Sequence, residues 1–139
     1  MKVEIFSPKT PLPEHREALI EVLDAYNDQH FPDPVQEVAM LVKEPDSCKI
    51  IGGLWGSIYW KWLFIEQFVV PPSHRGQGLG TNLLRQAENI ALQRGCIGVW
   101  LLTFSFQAPL FYRKRGYSEF GQIADYPPGQ SCSFFYKIL

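Results

Sequence analysis

Three glycines alternate with other residues at Gly76, Gly78 and Gly80, between a stretch that reads as a strand and one that reads as a helix. Upstream, Trp62 to Val70 is apolar, aromatic and β-branched apart from Glu66 and Gln67, the composition of a mostly buried strand. Pro71 and Pro72 must end it, because proline donates nothing to a sheet ladder. Downstream, Leu79, Leu83, Leu84, Ala87, Ile90 and Ala91 fall at helical spacing, and Gly95 follows Arg94 as a C-terminal stop. Most of the chain's other features are read relative to this strand, turn and helix.

Such a unit aims several unpaired backbone N–H groups and the positive end of a helix dipole at one spot. That is an anion site, and phosphate suits it. The glycines let backbone approach a bulky group closely, and Arg75 adds a positive charge at the rim. The two common nucleotide patterns both fail. A P-loop requires a lysine directly after its last glycine, and none is present. A dinucleotide fold requires Gly-x-Gly-x-x-Gly and a carboxylate closing the next strand. Here the spacing is Gly-x-Gly-x-Gly, position 81 is Thr, and the next strand, about Gly98 to Thr103, ends without a carboxylate.

Val70-x-Pro72-x-x-Arg75-Gly76-Gln77-Gly78-Leu79-Gly80 resembles the acetyl-CoA signature of the GNAT superfamily of N-acetyltransferases, whose core reads Arg/Gln-x-x-Gly-x-Gly/Ala. Arg75, Gly78 and Gly80 occupy its defining places. A second stretch, Gln107-Ala108-Pro109-Leu110-Phe111-Tyr112-Arg113-Lys114-Arg115-Gly116-Tyr117, resembles that superfamily's later helix. It departs from the usual pattern at Gln107, where Asn is common, and at Pro109, which moves the small residue earlier. The resemblance runs from roughly Leu54 to the C-terminus; the first part of the chain carries little of it.

Composition narrows the remaining choices. A chain of 139 residues with 46% hydrophobic and 14% aromatic residues is expected to form a single domain, residues 1–139, with a substantial core. A net charge of −1 without a basic block gives no expectation of a nucleic-acid partner. Cys48, Cys96 and Cys132 form no Cys-x-x-Cys and no disulfide framework, which fits a reducing cytoplasmic setting. No leader pattern and no membrane-spanning apolar run is expected.

In chain order, Lys2 to Phe6 reads as a short strand. Pro13 suits a first helical position, with Glu14 and Glu17 near the positive helix end. Leu19, Val22, Leu23 and Tyr26 supply a stripe expected to be buried, and Phe31-Pro32-Asp33-Pro34 stops the helix. Val35 to Lys43 and Lys49 to Tyr59 are strands around a turn at Glu44 to Ser47. The second contains Gly52, Gly53 and Gly56, which signal a bulge or close backbone approach. After Gly95 come a strand at Ile97 to Thr103, a short helix at Gln107 to Arg115, a strand at Tyr117 to Gly121, a loop at 124–130 and a last strand at Cys132 to Leu139. The residues predict a mixed α/β sheet. The resemblance implies a mostly antiparallel sheet of about six to seven strands with about three helices. Its two middle strands are parallel and splay apart at one end.

The resemblance also assigns roles. The N–H groups of Gly76, Gln77, Gly78, Leu79, Gly80 and Thr81 would hold the pyrophosphate of acetyl-CoA. The backbone of Phe68, Val69 and Val70 would pair with the pantetheine amides as an added strand would, and Gln107 would replace the usual Asn beside them. The N–H of Val69 or Val70 would polarise the thioester carbonyl. Tyr112 matches the general-acid tyrosine. A base is useful because only about one alkylammonium in 10³ is neutral at pH 7. Glu66 stands among aromatics, where burial would favour its neutral form; His74 is its rival. Arg113, Lys114 and Arg115 read as a solvated helix face with a possible reach to the CoA 3′-phosphate, and the four tryptophans as core or pocket wall. Asp28, His30, Asp33, Asp125 and Tyr126 are candidates for the acceptor pocket. No metal is called for. The reaction implied is acetyl transfer to a small-molecule or peptide amine. A non-catalytic acyl-CoA sensor and a transferase for another acyl chain stay open, and an aromatic C-terminal strand is compatible with a homodimer.

Overall fold

A computed structural model describes all 139 residues. The chain divides into two compact units, Met1–Asp33 and Pro34–Leu139. The first holds one helix, α1 (Pro13–Asp28), with proline in its first turn and the Leu12 N–H donating to His15 Nδ1 at 3.0 Å. Two expectations fail here. Lys2 to Phe6 is not a strand, since its unit contains no other strand to complete a ladder. The stripe of Leu19, Val22, Leu23 and Tyr26 is exposed, because a unit with a single helix has no second layer to cover it.

The second unit is a six-stranded sheet carrying two helices. Its strands are β1 (Gln36–Lys43), β2 (Ile50–Tyr59), β3 (Trp62–Val69), β4 (Gly98–Phe104), β5 (Ser118–Ala124) and β6 (Ser131–Ile138), in spatial order β1-β2-β3-β4-β6-β5. The helices are α2 (Leu79–Gln93) and the short α3 (Pro109–Lys114). Every neighbouring pair is antiparallel except β3 with β4. A parallel pair needs a crossover, and α2 supplies it. Both helices end at a glycine with the same pair of bonds. Cys96 N donates to Ala91 O and Tyr117 N to Tyr112 O across Gly95 and Gly116, placing buried Cys96 and Tyr117 just beyond.

The core lies on one face of the sheet. Leu63 and Ile65 of β3, Val99 and Leu101 of β4, Leu54 and Ile58 of β2 and Phe135 of β6 pack with Leu84, Ala87 and Ala91 of α2 and with Tyr112 of α3. Strand alternation sends the intervening residues to the opposite face. There the rings of Phe64 and Trp100 stack at 4.1 Å, and Trp62, Trp100, Phe120 and Tyr136 line an open apolar cleft of about 540 Å³. Trp62 and Trp100 are thus the pocket wall foreseen for them, while Trp55 and Trp60 are partly exposed.

The glycines of β2 allow close approach, as expected. A Cβ at Gly52 would lie 2.7 Å from Val69 O, and one at Gly56 2.6 Å from Phe64 O. β2 also bulges, as expected: Val42 faces Gly52 and Lys43 faces Ile50, so Ile51 beside Gly52 is an extra residue. β3 carries a second bulge. Trp55 faces Gln67 and Gly56 faces Ile65, so Glu66 is the extra residue. No helix is long and apolar enough to cross a membrane.

Gly98 sits at the start of the parallel pair, where a Cβ would lie 2.5 Å from the Trp62 ring and 2.6 Å from Lys137 O. Backbone on one side and a packed ring on the other leave no easy relaxation. Gly98→Ala should therefore lower unfolding free energy by about 1–3 kcal/mol, read as a lower urea midpoint with an unchanged slope.

Candidate active site

The parallel pairing of β3 with β4 runs from Trp62↔Gly98 to Ile65↔Leu101 and stops. Each strand then continues with its other neighbour only. β3 stays with β2 through Phe68 and Val69, and β4 stays with β6 through Phe104. The sheet therefore opens between Glu66–Val69 and Leu102–Phe104, and the backbone edges facing that opening have no strand partner. The splay expected of the middle strands is present.

At the end of β3 the chain makes a 3₁₀ turn, Pro72–His74, and enters the glycine turn. Gly76 and Gly78 have φ of 78° and 81°, a conformation costly for residues with a Cβ. A Cβ built at either would meet no atom within 4 Å, so their surroundings are open. Gly78 is the N-cap of α2 and no side chain caps that helix. The first intrahelical bond is Asn82 N to Gly78 O, so the amides of the preceding turn remain available to an anion. Gly80 serves a different purpose: a Cβ there would press to 3.2 Å from Val70 Cγ2 and 3.4 Å from the Phe111 ring. It lets α2 sit close to both β3 and α3. Arg75 donates from Nε to Val70 O at 3.2 Å and ties the turn to the strand end. Gln77 and Leu79 lie within the same turn.

Arg115 is the residue that the sequence reading placed wrongly. It is not a solvated arginine. Its Nε and Nη2 donate to Thr81 Oγ1 at 3.0 and 2.6 Å, and its guanidinium lies 4.2 Å from the Phe111 ring centroid. The cation thus stands at the N-terminal turn of α2, where the dipole is also positive. An arginine three positions after a tyrosine on a short helix carries no signal of that reach; only packing against α2 reveals it. Arg113 does face solvent, paired with Glu119 at 2.7 Å.

Tyr112 is buried on α3, edge-on to Phe68 at 6.3 Å and to Tyr117 at 5.9 Å between ring centroids. Phe68 lies just beyond the point where the strands part, so Tyr112 and the opening share the helix-covered face. Behind it, Tyr117 donates to Glu88 Oε2 at 3.0 Å, and Lys137 reaches the same oxygen at 2.9 Å. Burial, then the Glu88 charge, pushes the Tyr117 phenol well above its usual range.

Glu66 does not have the surroundings expected of it. The bulge leaves it exposed rather than enclosed by the neighbouring aromatics. His74 is also exposed, with Nδ1 2.9 Å from Ser73 Oγ. Gln107 folds back, its Oε1 accepting from Phe104 N at 3.0 Å and Thr103 Oγ1 at 3.3 Å, so its oxygen holds the end of β4. Its amide nitrogen is left to donate elsewhere.

The family model of the GNAT acetyltransferases matches residues 3–117. The chain belongs to that family. This GNAT chain is 41% identical over 130 residues to a blasticidin-S acetyltransferase from Streptomyces morookaense, covering 84% of this chain and 96% of that protein. A crystal structure of an acetyltransferase from Bacillus cereus superposes with a TM-score of 0.83 at 37% identity, covering 96% and 98% of the two chains. A more distant Bacillus anthracis protein, solved in complex with acetyl coenzyme A, shares the fold with a TM-score of 0.64 at 21% identity over 81% of this chain and 67% of that one. The protein is an acetyltransferase of this family.

Burial pushes the Tyr112 phenol up from 10.0 to about 12. The folded acetyltransferase therefore holds that proton more tightly than the unfolded chain. The stability this contributes is complete below about pH 10 and is lost as pH rises through about 12. Tyr112→Phe removes this contribution. The stability advantage of wild type over the variant should shrink by roughly 2 kcal/mol between about pH 9 and 12, measured by urea unfolding across that range.

Proposed function

We propose that this protein transfers an acetyl group from acetyl-CoA to a primary amine by direct attack within a ternary complex. The observation that carries this reading is the conjunction of an open glycine turn at an uncapped helix N-terminus with a splayed parallel pair beside it. A diphosphate fits the turn, and an extended amide-bearing arm fits the unpaired strand edge.

In this reading the N–H groups of Gly76 to Thr81 hold the pyrophosphate, with Arg75 and Arg115 supplying positive charge. The edge of Phe68 to Val70 pairs with the pantetheine arm, and Gln107 offers its amide nitrogen from the opposite wall. The Val69 or Val70 N–H donates to the thioester carbonyl oxygen. The neutral amine attacks the carbonyl carbon; a C–N bond forms and the oxygen takes the negative charge. As the carbonyl re-forms, the C–S bond breaks and the electron pair leaves on sulfur. Tyr112 donates a hydrogen bond to that thiolate. The surplus proton on nitrogen passes to Glu66 or, through water, to solvent. Glu66 earns the base role by its place on the opening rather than by burial. The relative named for blasticidin S makes small amine-bearing molecules the first acceptors to examine, ahead of peptide amines.

The test is a mixture of protein, acetyl-CoA and an amine panel, with release of the CoA thiol followed over time. Thiol release that depends on a particular amine is expected; CoA binding without turnover on any amine would remove the enzymatic reading. A hydrogen bond to a charged group is worth about 1.5–3 kcal/mol, so Tyr112→Phe should lower kcat roughly 10- to 100-fold. The dissociation constant for acetyl-CoA should stay within about twofold, because the phenol acts on charge that appears only as the C–S bond breaks. Arg115→Ala should do the reverse, raising that dissociation constant about tenfold at low salt, as expected for a lost phosphate partner, with a smaller effect on kcat at saturation.

A further inference from the structure

A second aromatic cluster stands at the opening, on the face away from α2 and α3. Val99, Leu101 and Thr103 of β4 are buried toward the helices, so alternation turns Phe104 to the other side. The Phe104 and Phe106 rings are nearly parallel, 6° apart in plane with centroids at 5.8 Å. Tyr126, from the loop joining β5 to β6, lies 5.2 Å from Phe104 with its ring tilted by 42°. Phe106 is 61% exposed and Tyr126 48%.

The two loops are fastened together. Ser105 N donates to Ser131 O at 2.8 Å, Ser105 Oγ to Gln130 Oε1 at 2.6 Å, and Ser131 N to Ser105 Oγ at 3.0 Å. Within the second loop, Gly129 N donates to Asp125 Oδ1 at 3.3 Å and Gln130 N to Pro127 O at 2.8 Å. Gln107 fixes the other side of Phe104 through its backbone N–H. The rings are therefore exposed yet held. None of them lines the apolar cleft of Trp62, Trp100, Phe120 and Tyr136.

Direct transfer needs the amine to approach the acetyl carbon from a side that the acetyl donor leaves free. With the donor on the helix-covered face, that side is the one carrying Phe104, Phe106 and Tyr126. We infer that the exposed rings of Phe106 and Tyr126, each packed on Phe104, form a stacking platform for the acceptor, and that the acceptor class is alkylamines whose carbon skeleton carries a planar aromatic ring. This rests on the acetyl-transfer reading for its donor side. The platform itself rests on the ring geometry and the hydrogen bonds that hold it. Stacking on a pre-set ring costs little ordering, and its π-face also favours a nearby ammonium.

The experiment measures binding and turnover separately on the full chain. Dissociation constants for tryptamine and hexylamine are determined by calorimetry with CoA-saturated protein, for wild type, Phe106→Ala, Phe106→Leu, Phe106→Tyr and Tyr126→Ala. Wild type should bind tryptamine at least tenfold more tightly than hexylamine. Phe106→Ala and Tyr126→Ala should each weaken tryptamine roughly tenfold, in line with loss of one stacked ring, and change hexylamine less than twofold. Phe106→Tyr should retain tryptamine binding and Phe106→Leu should not. Equal losses for both amines, rescue by Leu, or a wild type that does not prefer tryptamine would overturn the platform. Thiol release on the same two amines tests the acetyl-transfer reading on its own, so ring-dependent binding without turnover condemns that reading and leaves the platform standing.

Discussion

The loss of pairing between β3 and β4 after Ile65 and Leu101 is the constraint on which the site depends. Two parallel strands that stayed in register would satisfy each other and leave no edge for a ligand. Here each strand is held by its outer neighbour instead. The bulge that makes Glu66 an extra residue belongs to this arrangement, because a bulge bends its strand and sharpens the local twist. The same feature that parts the strands also puts Glu66 in solvent. The carboxylate's exposure and the opening therefore have one origin, and a buried Glu66 would require a straighter β3 and a narrower cleft.

The helix-side wall gathers positive potential without a permanent anionic partner. The α2 dipole, the guanidinium of Arg115 on Thr81, and Arg75 on the end of β3 all lie around one glycine turn. Carboxylates are present nearby in sequence, but Glu88 is engaged by Tyr117 and Lys137, and Glu119 by Arg113. Charge of one sign collected at one place raises the energy of the isolated protein and lowers that of a complex with a polyanion. The apolar floor under Arg115, the ring of Phe111, keeps its guanidinium from swinging away.

What was legible in the chain and what was not divide along sequence separation. The strand, the glycine turn and α2 were readable because their signals are local: prolines that end a ladder, glycines at positive φ, a stripe of period 3.6. The parallel splay followed from resemblance rather than from residues. Arg115 escaped because its partner, Thr81, lies 34 positions away, and a basic helix face looks the same whether solvated or docked. Glu66 was misread because aromatic neighbours in sequence suggest burial, whereas the extra residue in β3 turned it outward. The Lys2–Phe6 strand failed for the complementary reason. Five residues that include Val3, Ile5 and Phe6 are not a strand until another strand accepts their hydrogen bonds.

The chemistry asked of Tyr112 is limited by the burial that positions it. Its phenol is pushed to about 12, while an ordinary thiol ionises near 8.5. Full proton transfer from that phenol to a water-exposed thiolate would be uphill by about 3.5 units, roughly 5 kcal/mol. A thiolate born in the same apolar surroundings has its own affinity for protons raised, which narrows the gap. Even so, a hydrogen bond delivers most of the benefit without the transfer. In the proposed reaction it would stabilise sulfur while negative charge is building, and the proton that completes the thiol would come from water as CoA leaves. A tyrosine would suit this task because burial keeps it a donor up to about pH 12. A stronger acid in the same position would itself ionise, and would then repel the charge it is there to receive.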